Sequence, residues 1–298
     1  MKPSNLIRIF IFIALVFTPL WFDKPAAVPD PSPIARLTVL VDNTVAEKGV
    51  KAAWGFACLI EARGHTVLFD TGPDPVVLKN NLTAMNADPS RIEAVVISHY
   101  HFDHTQGAPG LGTLPGVGAF TPRGFEDHPE ESAALLGAGL RLEPVAQTKI
   151  MFDGITISEP LHFQGTISLG NPGQGITDDL WEQCLTVDTP EGLAVIVGCA
   201  HPGILPMLEQ VKRQTGRPLH FVIGGFHLLG QSDAEARRIA NEMQMMGVAY
   251  VSATHCTGDT AIRVFRDVFG DRYVSAGAGA EIDLPFITAS ASSATAQY

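Results

Sequence analysis

The apolar run Ala94-Val-Val-Ile97 leads directly into Ser98-His99-Tyr100-His101-Phe102-Asp103-His104, and this junction decides how the chain is read. A buried strand delivers a segment that holds three imidazoles and one carboxylate within six residues. Side chains two apart in an extended segment project to the same side, so His99 and His101 can share one metal ion. A helix or turn beginning near Phe102 would swing Asp103 and His104 towards a second metal, about 3.5–4 Å away, the spacing typical of two-metal hydrolytic sites.

The 298 residues suit one large domain or two small ones, and 46% hydrophobic residues can fill a core. A net charge of −11 excludes nucleic acid and an anionic membrane surface as main partners, since both call for basic patches. A small-molecule substrate is expected instead. Cys58, Cys184, Cys199 and Cys256 are too few and too widely spaced for a disulfide scaffold. Lys2 and Arg8 precede an apolar run over residues 9–22, so residues 1–27 read as a signal peptide or an N-terminal membrane anchor. An exported protein is expected, periplasmic or held at the outer face of the inner membrane, with membrane contact through this segment alone. Residues 28–34 read as a stiff proline-rich linker, 35–287 as the catalytic domain and 288–298 as a disordered tail.

Within the domain, Arg36–Val41 reads as a strand, and Phe56–Ala62 and Thr66–Asp70 as a hairpin about Arg63-Gly64-His65. Asp70 ends a strand before a glycine turn, where it either satisfies backbone donors or braces an imidazole N–H of the metal loop. Asp74 and Pro75 predict the N-cap and first residue of a helix. Val145–Ile150 and Ile155–Ser158 read as strands, and Glu126–Glu131 as a solvated acidic loop. The second half repeats one pattern three times: a strand, a turn bearing a histidine, then a helix. The histidines are His201, His227 and His255. Ligands of α/β proteins bind at the carboxyl ends of strands, so these turns and the opening segment can converge on one site.

His99-x-His101-x-Asp103-His104 after a buried strand, with Asp70-Thr71-Gly72 upstream, resembles the metallo-β-lactamase superfamily. With Asp42-Asn43, Gly198-Cys199-Ala200-His201, Gly224-Gly225-Phe226-His227 and His255-Cys256-Thr257-Gly258, the set is similar to the branch that includes the dihydropterin ribofuranosylaminobenzene-phosphate synthases. The resemblance implies an α/β fold, a four-layer αβ/βα sandwich with two sheets face to face, helices outside and a dinuclear metal site at one edge. It implies two divalent ions, zinc above all, with manganese or iron also tolerated by mixed imidazole and carboxylate ligands. His99, His101 and His201 would hold one ion, and Asp103, His104 and His255 the other. Asp103 would also orient the attacking water, and His227 would contact substrate or protonate the leaving group.

The sequence departs from the wider superfamily at two places. Gln174 stands where a histidine is expected, and Cys199 stands where an aspartate would bridge the metals. His201 is the replacement ligand on this reading, and Cys199 is either a further ligand or a buried free thiol. Asp178 and Asp179 are candidates for the missing carboxylate, with Asp70 a further possibility. The expected activity is hydrolysis of an ester, lactone, amide or phosphoester by metal-activated water. One alternative is a synthase-like transferase that joins a pterin diphosphate to an aminobenzene derivative. Another is a non-catalytic metal-binding or redox-sensing protein that uses Cys199 and Cys256.

Overall fold

A computed structural model describes residues 33–168, 170 and 174–285. The leader or anchor expected over residues 1–27 and the tail over 288–298 lie outside the described residues. Among the described residues no helix is long and apolar enough to cross a membrane.

In chain order the first half runs β1 (Ala35–Val41), β2 (Ala57–Ala62), β3 (His65–Phe69), α1 (Pro75–Ala84), β4 (Ala94–Val96), α2 (Phe102–Thr105), β5 (Gly118–Pro122), α3 (Pro129–Gly137) and β6 (Arg141–Val145). The second half runs β7 (Lys149–Phe152), β8 (Ile155–Ile157), β9 (Leu161–Ser168), β10 (Gly175–Glu182), β11 (Leu185–Thr189), β12 (Gly192–Val197), α4 (Ile204–Thr215), β13 (Leu219–Gly225), α5 (Asp233–Met245), β14 (Tyr250–Thr254), α6 (Asp259–Phe269) and β15 (Glu281–Leu284). One sheet has the order β15-β1-β2-β3-β4-β5-β6 and the other β14-β13-β12-β11-β8-β7, while β9 and β10 form a separate ribbon.

Alternation along the strands builds four layers. On β12, Ala194 and Ile196 face the other sheet and meet a core that includes Leu37, Ile60 and Phe69. Val195 and Val197 face outward onto Met207, Leu208, Ile239 and Phe265 of α4, α5 and α6. The first sheet does the same: Leu59, Leu68 and Val95 turn towards Leu78 and Leu82 of α1 and Leu135 of α3. The helices fit because their buried positions recur at helical spacing, as Ala236, Ile239, Ala240 and Met243 do on α5. Asp74 caps α1, accepting from the backbone N–H of Val76 at 2.6 Å and of Val77 at 3.1 Å.

Two expectations are corrected. Val145–Ile150 is not one strand: β6 ends at Val145 and β7 begins at Lys149, in the other sheet. The acidic stretch 126–131 is not all loop, because Pro129 starts α3 and Glu130 and Glu131 occupy its first turn, where carboxylates favour the helix dipole. The β9–β10 ribbon was not legible from period, since β9 alternates half-buried and exposed residues with few apolar ones.

The parallel strands β3, β4, β12, β13 and β14 all end at one edge of the sandwich. The turns that follow carry Asp70, His99, His201, His227 and His255. Four non-glycine residues there hold positive φ: Asp70 at 56°, Ala200 at 56°, His227 at 46° and His255 at 47°. Strained backbone of this kind persists where surrounding structure over-determines it, and it concentrates at functional sites.

Candidate metal centre

His99 and His101 face each other across 3.0 Å, Nε2 to Nδ1. Their opposite nitrogens are both occupied. His101 Nε2 donates to Asp178 Oδ2 at 2.7 Å. Ser98 Oγ donates to Asp70 Oδ2 at 2.8 Å, so its contact with His99 Nδ1, also 2.8 Å, is accepted from the ring. With both protons at the rear, two lone pairs point at one another inside the protein. That arrangement is repulsive unless a cation sits between the rings and a third ligand. His201 supplies the third: Nδ1 is held by Glu182 Oε2 at 2.9 Å, while Nε2 is buried with no hydrogen-bond partner. Donor atoms of His99, His101 and His201 lie within 4.8 Å of one another.

The second group is Asp103, His104 and His255, again within 4.8 Å. The α2 turn carries Asp103 and His104 towards His255 and buries both side chains, with the His104 ring centre still 4.3 Å from that of His99. His104 Nδ1 is anchored by Asp70 Oδ2 at 2.7 Å, and His255 Nδ1 by Asn43 Oδ1 at 3.1 Å. His255 Nε2 lies 3.3 Å from Asp103 Oδ2 without hydrogen-bond geometry and has no other partner. Five imidazoles are thus fixed from behind, with their front nitrogens turned towards one another, Asp103 and Cys199, the arrangement that orients metal-binding histidines. The residues present fit divalent cations.

Electrostatics agree. Burial keeps His99 neutral, with its pKa well below the ordinary value, as a ligand imidazole must be. Burial alone would also lower His104, yet Asp70 and Asp103 raise it to about 9, so the surroundings favour positive charge there. Burial would raise Asp103, but His104 and His255 hold it well below the usual carboxylate range.

Cys199 Sγ lies 3.2 Å from His104 Nε2 and falls within 4.8 Å of donors in both groups, His99 and His201 on one side and His255 on the other. Cys256, also a buried free thiol, lies beside it, with its sulfur within 4.8 Å of donors of Cys199 and His255. His227 Nε2 donates to Ser168 O at 3.2 Å, its Nδ1 is buried without a partner, and its ring centre is 4.7 Å from that of His201.

Asp179, expected as a carboxylate for the site, is corrected: His162 Nε2 at 2.6 Å and Gln164 Nε2 at 2.9 Å hold it on the exposed ribbon. Successive strand residues point to opposite faces, so Asp178 alone turns to the centre, where Tyr100 Oη also donates to it. Asp70 is likewise corrected as a ligand. Its carboxylate stands behind His104 and Ser98.

Glu182 was missed. Fully buried at the end of β10, it accepts from the backbone N–H of Cys199 (2.8 Å), Ala200 (2.7 Å) and His201 (2.8 Å) as well as from the His201 ring. Burial alone would raise its pKa, but the His201 ring and these N–H groups lower it to about 2. A carboxylate with four donors fixes the whole 199–201 turn.

A family model described as the metallo-beta-lactamase superfamily matches residues 55–209. The 7,8-dihydropterin-6-methyl-4-(beta-D-ribofuranosyl)-aminobenzene-5'-phosphate synthase of Methanocaldococcus jannaschii is 27% identical over 263 residues, covering 76% of this chain and 88% of that protein. Among solved structures, a metal-dependent hydrolase of the beta-lactamase superfamily superposes with a TM-score of 0.69 at 27% identity, over 84% of this chain and 99% of its own. The metallo-beta-lactamase fold protein YhfI of Bacillus subtilis shares the fold, with a TM-score of 0.56 at 15% identity over 84% and 99% of the two chains.

Proposed function

The chain belongs to the metallo-β-lactamase superfamily, and from that premise we propose that it is a metal-dependent hydrolase acting on a small molecule. His99, His101 and His201 hold one divalent ion, and Asp103, His104 and His255 hold a second, with Cys199 as a further donor. Zinc suits this imidazole, carboxylate and thiolate set best, while manganese or iron also accepts nitrogen and oxygen donors. The observation that carries the reading is the pair of opposed lone pairs on His99 and His101, with His201 Nε2 unpartnered beside them.

Bound ions supply Lewis acidity, lowering the pKa of a coordinated water and polarising the scissile bond. The protein's part is orientation. Asp103 accepts a hydrogen bond from the attacking water and so aims its oxygen. His227, which lines the cleft and keeps a buried, unpartnered Nδ1, is placed to protonate the leaving atom. The apolar run behind Lys2 and Arg8 supports export of the protein.

Elemental analysis of the purified full chain tests the metal assignment. Two ions per chain are expected, and one would overturn the dinuclear site. Hydrolysis should be abolished by chelator and in His101→Ala.

The long match to the Methanocaldococcus jannaschii synthase favours one other reading, transfer from a diphosphate at the same site. Product analysis after incubation with a dihydropterin diphosphate and an aminobenzene acceptor separates transfer from hydrolysis.

A further inference from the structure

Beside the two ligand groups a cleft of about 420 Å³ opens onto His101, Asp103, His201 and His227. Its apolar walls are Trp54, Phe102, Ile167, Ile176 and Leu229, with Ser168, Cys199 and Cys256 completing the lining. Trp54, Phe102 and Ile176 are 46%, 57% and 48% exposed, and large apolar side chains so open to water are few on the described surface. Singly they would mean little. Gathered at the mouth of one cleft, they mark a surface that awaits an apolar ligand.

Charge points the same way. Among the described residues no Lys or Arg lines this cleft. A second hollow of about 310 Å³ adjoins it, sharing Ile167, Ser168, His201 and His227, and it has a single cation, Arg238. That guanidinium is already held by Glu235 at 2.9 and 2.6 Å and by Glu242 at 2.6 Å, which leaves it no free charge to offer an anion. The sequence from 168 to 176, SLGNPGQGI, adds no positive residue. Sites that hold phosphoryl groups meet their charge with Arg or Lys clamps as well as metal. Here only bound ions would meet it, against the carboxylates of Asp103 and Glu235.

We propose that this cleft selects a neutral carbonyl ester or lactone with an apolar chain, and rejects phosphate and diphosphate esters. The inference rests on the hydrolase reading above and names its substrate class. In the reaction, the water oxygen bonds to the carbonyl carbon and the bond from that carbon to the ester oxygen breaks. The water's proton passes to the departing oxygen, through His227 Nδ1. The chain lies along Phe102, Ile176 and Leu229.

Calorimetric titration of the zinc-loaded full chain with alkanoyl hydroxamates of two to ten carbons, and with inorganic pyrophosphate, tests binding apart from turnover. Affinity should rise about threefold per methylene as the chain is buried, and pyrophosphate should bind at least tenfold more weakly than the octanoyl compound. The chain-length dependence should flatten in the double variant Phe102→Ser, Ile176→Ser. Both side chains are exposed, so the fold is not at stake. Affinity independent of chain length, or tighter binding of pyrophosphate, overturns the proposal. Turnover is read separately with p-nitrophenyl octanoate. If hydroxamate affinity climbs with length while this ester is not cleaved, the ligand class stands and the hydrolase reading falls.

Discussion

Glu182 and His201 are joined twice, through the imidazole Nδ1 at 2.9 Å and the backbone N–H at 2.8 Å, both to Oε2. Oε1 takes the N–H groups of Cys199 and Ala200. One buried carboxylate from the ribbon therefore sets both the direction of a ligand ring and the strained turn that presents it. Glu182→Gln keeps the volume but opposes an amide N–H to at least one of these donors. A stability loss of about 1–3 kcal/mol is expected in urea unfolding. Metal affinity should fall about 10- to 100-fold in competition titrations.

Asp178 acts on His101 in the same manner from a less enclosed position, and Tyr100 steadies it from behind. Asp178→Asn should weaken metal binding about tenfold, and Tyr100→Phe no more than about threefold. Asp179→Asn, one residue on, should leave metal affinity unchanged. If the last variant lost metal as readily as Asp178→Asn, the assignment of faces on β10 would be wrong.

Gly198 is pinned by the opposing loop. A Cβ there would stand 2.1 Å from Ser98 Oγ and 3.2 Å from Asp70 Oδ2. Gly198→Ala must displace the hydroxyl that orients His99, and a destabilisation of about 1–3 kcal/mol is expected together with weaker metal binding. Gly137→Ala, at the end of α3 where a Cβ meets nothing within 4 Å, provides the contrast and should stabilise slightly.

The contrast between residues read from sequence and residues missed follows from distance along the chain. His99, His101, Asp103 and His104 are local: their offsets, taken with strand and helix geometry, already divide them between two groups. His201 and His255 were legible because each follows a strand in a repeated unit. Glu182 was not, since its partners lie 17 to 19 residues ahead and a glutamate at a strand end ordinarily faces water. The choice between Asp178 and Asp179 needed β10 to be recognised, after which the period of two decides it. Trp54 and Phe102 looked like ordinary apolar residues, because a cleft wall is a property of the closed fold.

Cys199 occupies a position common to both ligand groups. In the cobalt-substituted protein, its thiolate should give a near-ultraviolet sulfur-to-metal charge-transfer band. Cys199→Ser should abolish that band and Cys256→Ser should retain it, because Cys199 Sγ lies within 4.8 Å of donors in both ligand groups and Cys256 Sγ is grouped with His255 and Cys199 alone. A band that survives Cys199→Ser would move the thiolate ligand to Cys256, and no band in the wild type would leave the second metal to Asp103, His104 and His255 alone.

Removing the ions should destabilise the fold as well as the reaction. A ligand at about a thousand times its Kd adds about 4 kcal/mol to the native state. For a domain of this size that corresponds to about 8–16 °C in Tm, measured by thermal melts with and without EDTA. The loss should be local before it is global. Without a cation the lone pairs of His99 and His101 oppose one another at 3.0 Å, so the 98–104 segment should be the first to open. Hydrogen exchange should therefore quicken there on chelation, while β2 and β12, buried between the sheets and their helices, stay protected. Uniform loss of protection across both sheets would show instead that the metal holds the sandwich together as a whole.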